Sequence, residues 1–108
     1  MKLPTTIYEG QRSETKIMVS VDGFTLLVIP SLRLRNHSPD GFNWGYGGSG
    51  PAQLALAILL DYAGEEIALK YYQTFKRNTV AHWGDLWRIT GKEIDSWLER
   101  TRKIKWGL

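Results

Sequence analysis

The sequence predicts a single α+β domain, in which a small, mostly antiparallel sheet from the N-terminal half packs against a buried central helix and two C-terminal helices. Three stretches carry that prediction. Residues 16–21 and 24–29 are apolar, β-branched runs joined by Asp22-Gly23, a pair favoured in two-residue hairpin turns. Residues 54–60 are apolar on every side, the mark of a helix buried all round. From Glu65 onward, apolar residues recur at helical spacing with charges between them.

The 108 residues suit one domain, and 43% hydrophobic with 12% aromatic content is the composition of a packed globule. There is no cysteine, which excludes disulfides, thiolate metal sites and thiol nucleophiles. A zinc site would have only His37 and His82 plus carboxylates, so no metal or other cofactor is expected. The formal net charge of +3 is compatible with a polyanionic partner without requiring one. The first six residues hold no apolar leader, and the run 54–60 is too short to cross a bilayer. A soluble cytoplasmic protein with no membrane contact is expected.

Residues 1–6 read as a tail. A first strand is predicted over residues 7–12, with Gly10 as a bulge or a close backbone approach. Residues 16–21 and 24–29 form the hairpin, whose second strand stops at Pro30 and is apolar enough to be covered on both faces. Leu32-Arg33-Leu34-Arg35 alternates with period two, which predicts a further short strand with both arginines on one face. Pro39-Asp40-Gly41 is a turn, and residues 42–44 are a brief strand before the glycines.

The central helix is predicted over residues 51–63, with Pro51 at its first position, Gly50 or Ser49 as the cap, and Gly64 at its end. A second helix runs from Glu65 to Lys76, with Ile67, Tyr71 and Phe75 on its inner stripe. The aromatic connector 80–89 has no assigned element. Thr90-Gly91-Lys92-Glu93 is a capping-box pattern that starts a third helix at Gly91. Ile94, Trp97, Leu98 and Ile104 form its inner face, and Glu99, Arg100, Arg102, Lys103 and Lys105 its wet side.

Chemistry concentrates in residues 41–51, where five of eleven residues are glycine. A glycine-rich turn feeding a helix presents unpaired N–H groups and the positive end of the helix dipole, a place for an anion. Residues 45–50 satisfy G-x-G-x-x-G, but the chain is too short for two βαβαβ halves and no parallel strand clearly follows. No Lys-Ser/Thr follows the glycines, so a P-loop is excluded as well. Two readings of the loop remain. In one, Arg12, Arg33 and Arg35 add positive charge around Gly47, Gly48, Ser49 and Gly50, with His37, Trp44, Tyr46 and Gln53 nearby, and Trp44 or Tyr46 stacks on a base. In the other, the glycines only let the helix pack closely and the arginines are solvated. His37, Ser38 and Asp40 also invite a hydrolase reading, although neighbours in a turn seldom make a catalytic triad.

The segments Tyr8-x-Gly10-x-Arg12, residues 37–46 (HSPDGFNWGY), residues 47–57 (GGSGPAQLALA) and Trp87-x-x-Thr90-x-x-Glu93-Ile94-x-x-Trp97-Leu98 resemble a family of small bacterial, archaeal, phage and plasmid proteins of unknown function. The resemblance covers nearly the whole chain and implies a mobile-element setting. Gly45-Tyr46, Ser49 and Gln53-Leu54 are also similar to the loop-helix of viral ring nucleases that degrade cyclic oligoadenylate. Tyr46 stands where those proteins have the histidine that matters for cleavage, so the catalytic part does not carry over.

The expected function is a non-enzymatic binding module for a phosphate-bearing ligand (a nucleotide, cyclic oligonucleotide or nucleic acid) at residues 45–51. Two alternatives stand beside it. One is a protein-interaction factor with an aromatic surface containing Trp83 and Trp87. The other is a small metal-independent phosphodiesterase with His37 as acid or base.

Overall fold

The computed structural model describes residues 2–105, with side chains through Lys103. A four-stranded antiparallel sheet has the order β3-β2-β1-β4, formed by β1 (Ile7–Arg12), β2 (Ile17–Val21), β3 (Phe24–Thr25) and β4 (Leu86–Thr90). Its helices are a single turn α1 (Ile29–Leu32), the central α2 (Ser49–Ala63), α3 (Glu65–Asn78) and α4 (Gly91–Lys105), with one 3₁₀ turn at Val80–His82. The α+β class is therefore as the pattern predicted. Among the described residues no helix is long and apolar enough to cross a membrane.

The hairpin forms as expected. Asp22 and Gly23 both have positive φ, 49° and 85°, matching the right-handed twist of the strands they join. The Asp22 carboxylate also accepts the Ile7 N–H at 2.8 Å, which ties the turn to β1. The strand predicted to Ile29 ends at Thr25, because only Leu26 continues the pairing, with its N–H on Val19 O, and the chain then turns away. Phe24, Leu27 and Ile29 are exposed, so this run is not covered on both faces. Pro30 begins a helical turn instead of ending a strand, since its missing N–H is no loss at that position.

Residues 32–35 are not a strand either. Arg33, Leu34 and Arg35 donate their N–H groups back to Ile29 or Ser31, so the local bonds are helical. At residues 42–44 the predicted strand is replaced by a local bond, Trp44 N–H to Asn43 Oδ1 at 2.9 Å. The unassigned connector supplies β4, which pairs Ile89 with Tyr8 and Trp87 with Gly10. A Cβ on Gly10 would lie 2.2 Å from the Trp87 indole nitrogen. Of the two roles open to Gly10, close approach is the one it has: the β1 ladder runs without a bulge.

α2 is buried from Gly50 to Leu59, as an apolar-all-round helix must be. It begins two residues before the predicted start, with Gly48 as N-cap, and it ends at Gly64 (φ 93°), which also starts α3. The inner side of the sheet contributes Tyr8, Val19, Trp87 and Ile89 to the core, and α3 contributes Ala68, Tyr71, Tyr72 and Phe75. α4 opens with the predicted capping box: Thr90 Oγ1 accepts the Glu93 N–H at 3.2 Å, and Glu93 Oε1 accepts the Thr90 N–H at 3.0 Å. Ile94 and Trp97 are buried and Leu98 half-buried, while Glu99, Arg100, Arg102 and Lys103 are exposed. The side chains of Ile104 and Lys105 lie outside the described residues.

Two tyrosine hydroxyls tie β1 and α4 to the end of α2. Tyr8 donates to Asp61 Oδ2 at 2.7 Å, and Tyr62 donates to Asp95 Oδ2 at 2.8 Å. Burial, followed by these carboxylates, raises both phenols, with Tyr62 pushed up to about 12. An unfolded tyrosine titrates near 10. The Tyr62 share of the stabilisation is therefore complete below pH 10 and is lost as pH rises from 10 through 12, while the Tyr8 share goes on falling above it. Chemical denaturation across that window should show stability falling with pH, and Tyr62→Phe should flatten the fall. An unchanged slope in the variant would remove Tyr62 from the account.

Candidate functional site

Two polar knots flank the glycine-rich loop. The first is built on Gln53, one turn into α2 and fully buried. Its Nε2 donates to Ser31 Oγ (2.9 Å) and to Arg35 O (3.0 Å), and its Oε1 accepts the N–H groups of His37 (2.8 Å) and Ser38 (3.0 Å). Two donors and two lone pairs are the whole capacity of an amide, so Gln53 has nothing left for a ligand. It is the clasp that holds residues 31–38 against α2. Nε2 of His37 is 2.7 Å from the Tyr72 hydroxyl, and the Ser38 hydroxyl donates to Gly41 O. His37, Ser38 and Asp40 are thus not brought into a proton relay, because Ser38 is spent on its own turn.

The second knot is built on Arg12 at the end of β1. Nη1 donates to Asn43 Oδ1 (2.7 Å) and Trp44 O (2.8 Å), while Nε and Nη2 both reach Asp85 Oδ1 (3.2 and 3.1 Å). The guanidinium also lies 5.1 Å over the Trp44 ring. Trp44 is fully buried, donates its indole N–H to Gly84 O and meets Trp87 edge-on, so it is not placed to stack on a base. Trp87 is buried and stacks on half-buried Trp83 at 4.1 Å. The Trp87 indole N–H is enclosed without a partner among the described residues.

Between the knots the loop is exposed at Gly45, Tyr46, Gly47 and Ser49. Gly45 needs its positive φ of 84°, and a Cβ there would come 2.9 Å from Trp83 O. Tyr46 folds back over the helix start: a Cβ on Gly48 would meet its ring at 2.5 Å, and one on Gly50 would strike Asn43 at 2.8 Å. Packing therefore accounts for Gly48 and Gly50. It gives no reason for Gly47, where a Cβ would meet nothing within 4 Å.

The loop ends at the start of α2, which carries no side-chain cap and no acidic residue in its first turn. α3, by contrast, has Glu65 and Glu66 there, and α4 has its capping box. The dipole of α2 is thus left uncompensated at an exposed loop. Arg33 and Arg35 are exposed on the clasped segment, and neither forms an ion pair among the described residues. Among the described residues Arg35 donates only to Leu34 O. Among the described residues there is no group of three His, Cys, Asp or Glu side chains that could hold a metal.

A separate groove of about 1130 Å³ runs across the sheet, lined by residues of all four strands and by the segments 26–28 and 40–42. Ile17, Met18, Leu27 and Leu86 are exposed along it. Asn43, Tyr72 and Asp85, the partners of Arg12 and His37, went unmarked in the sequence as site residues. Arg12 and Asp85 are 73 residues apart, and no local pattern joins them.

A family of unknown function (DUF6166) matches the chain over residues 8–100. No curated protein and no solved structure matches it.

Removing the Gln53 amide leaves two N–H groups and two acceptors short of partners in a buried place. Gln53→Ala should therefore cost on the order of 3 kcal/mol in urea unfolding. Gly48→Ala and Gly50→Ala should also destabilise, while Gly47→Ala should stay within about 0.5 kcal/mol of the parent. Equal losses at positions 47 and 48 would contradict the packing account.

Proposed function

Since the chain belongs to the DUF6166 family, whose function is unknown, kinship supplies no activity, and we propose from the geometry that the protein is a non-enzymatic binding module for a phosphate-bearing ligand. The ligand is a nucleotide, a cyclic oligonucleotide or nucleic acid, held at the Gly47–Ser49 end of α2. The observation that carries this reading is the uncapped, uncompensated start, at an exposed loop, of a helix buried from Gly50 to Leu59. The N–H groups of Ser49 and Gly50 supply the hydrogen bonds, since Pro51 has none and the Ala52 N–H is already bonded to Gly48 O. Exposed Arg33 and Arg35 supply positive charge, and exposed Tyr46 offers a ring edge beside the phosphate. Gln53 and Trp44 act on the ligand only by holding the loop. A mobile-element setting, implied by the family resemblance over nearly the whole chain, belongs to the same reading.

A second reading, a protein-interaction factor, is favoured by the exposed Ile17, Met18, Leu27 and Leu86 along the sheet groove. It relies on that groove and not on buried Trp87.

The first experiment is a thermal-shift panel of nucleotides, cyclic oligonucleotides and short nucleic acids at low salt. A ligand at a hundred times its Kd stabilises by about 2.7 kcal/mol. Ser49→Glu places a carboxylate at the helix start, so it should stabilise the free protein by about 0.3–1 kcal/mol and abolish the ligand shift. A silent panel, or a shift indifferent to Ser49→Glu, rejects the helix-end site. For the second reading, Leu86→Asp should leave stability within about 0.5 kcal/mol of the parent but disrupt a co-purifying complex; a complex that survives Leu86→Asp places the contact elsewhere.

A further inference from the structure

We infer that Arg12 is an anion receptor whose outward edge is occupied by the protein's own Asp85 until a phosphate group displaces it. The inference rests on the loop being a phosphate site and adds a gate to that site.

The guanidinium of Arg12 is fixed from one side only by neutral groups. Its inner nitrogen, Nη1, is held by Asn43 Oδ1 and Trp44 O, and its face lies on Trp44. None of these cancels the positive charge. The other edge, Nε and Nη2, is the planar fork that takes two oxygens of a carboxylate or phosphate in parallel. Here the fork meets a single oxygen, Asp85 Oδ1, which both donors share. The Asp85 side chain is 73% exposed against 27% for Arg12, so the occupant stands in water while the receptor is set into the protein. An ion pair with so hydrated a partner is weak.

Two further observations set this pair apart from a simple tie. The connector is already joined to β1 by the Arg12 N–H on Asp85 O at 2.9 Å, so the side-chain pair is not needed for that junction. Gly45 lies beside the guanidinium, where a Cβ would come within 3.4 Å of Nη2. The loop backbone at Gly45 therefore runs alongside the guanidinium. A phosphate arriving along the loop meets a guanidinium already oriented, offers it two oxygens in place of one, and releases the Asp85 carboxylate to solvent. No covalent bond changes. The carboxylate excludes weak anions by its own charge, and a multiply charged phosphate group outcompetes it.

The test titrates the parent, Asp85→Asn and Ser49→Glu with inorganic pyrophosphate at low salt, reading affinity together with the Arg12 Nε–H resonance. Asp85→Asn keeps an oxygen on the fork and removes only the charge. It should tighten pyrophosphate about fivefold, the size of a weak surface ion pair, and the Arg12 Nε–H signal should move with saturation. Unchanged or weaker affinity in Asp85→Asn, or a stationary Nε–H signal, overturns the gate. If binding is then still lost in Ser49→Glu, the loop site stands without it. Tightening in Asp85→Asn that ignores Ser49→Glu keeps Arg12 as receptor and rejects the helix end. Absence of binding to both the parent and Asp85→Asn overturns both.

Discussion

The demand of α2 to be buried on every side governs the rest of the molecule. A helix with ten consecutive buried residues needs cover from the sheet, from α3 and from the long irregular segment between β3 and its own first turn. Irregular backbone pressed against a core has to find hydrogen bonds without a ladder. Gln53 answers for residues 31–38 and Arg12 for residues 43–44, each by reaching several backbone or side-chain groups at once. Both are polar side chains placed where they replace secondary structure.

This use of polar residues limits what the loop has left for a ligand. The side chains that looked most like binding groups are committed to architecture: Gln53 wholly, Trp44 as a buried wedge, and Arg12 along its inner edge. What is left is backbone at a helix end, two solvated arginines and one glycine, Gly47, for which neighbouring atoms give no reason. The knots on either side hold that backbone in place without occupying it. Binding through such a loop would involve little ordering of the free protein, which is the usual route by which rigid scaffolds gain affinity.

Legibility followed the range of the interactions. The Asp22-Gly23 turn, the Thr90–Glu93 box and the apolar belt of α2 are local patterns, and each was readable because its partners lie within a few residues. The run 24–29 misled because β propensity says what suits a strand, not whether a neighbouring strand is there to pair with it. Leu-Arg-Leu-Arg misled for the same reason, since Gln53 organises that segment from α2. β4 was missed because Trp87 earns its place only against Gly10, far away in sequence. For the site, the loop and the helix start were legible, but the commitment of Arg12 to Asp85 and Asn43 was not.

β1 has its first partner nearby and its second almost at the other end of the chain. Tyr8 pairs with Val21 on one side and with Ile89 on the other. On the ribosome, the hairpin and the helical pair α2–α3 can assemble while β1 still has one edge bare. Only when the last strand emerges is that edge covered and the indole of Trp87 laid on Gly10. Such long-range closure slows folding, and in the interval the open edge of β1 is the part of the nascent chain most exposed to pairing with the wrong strand.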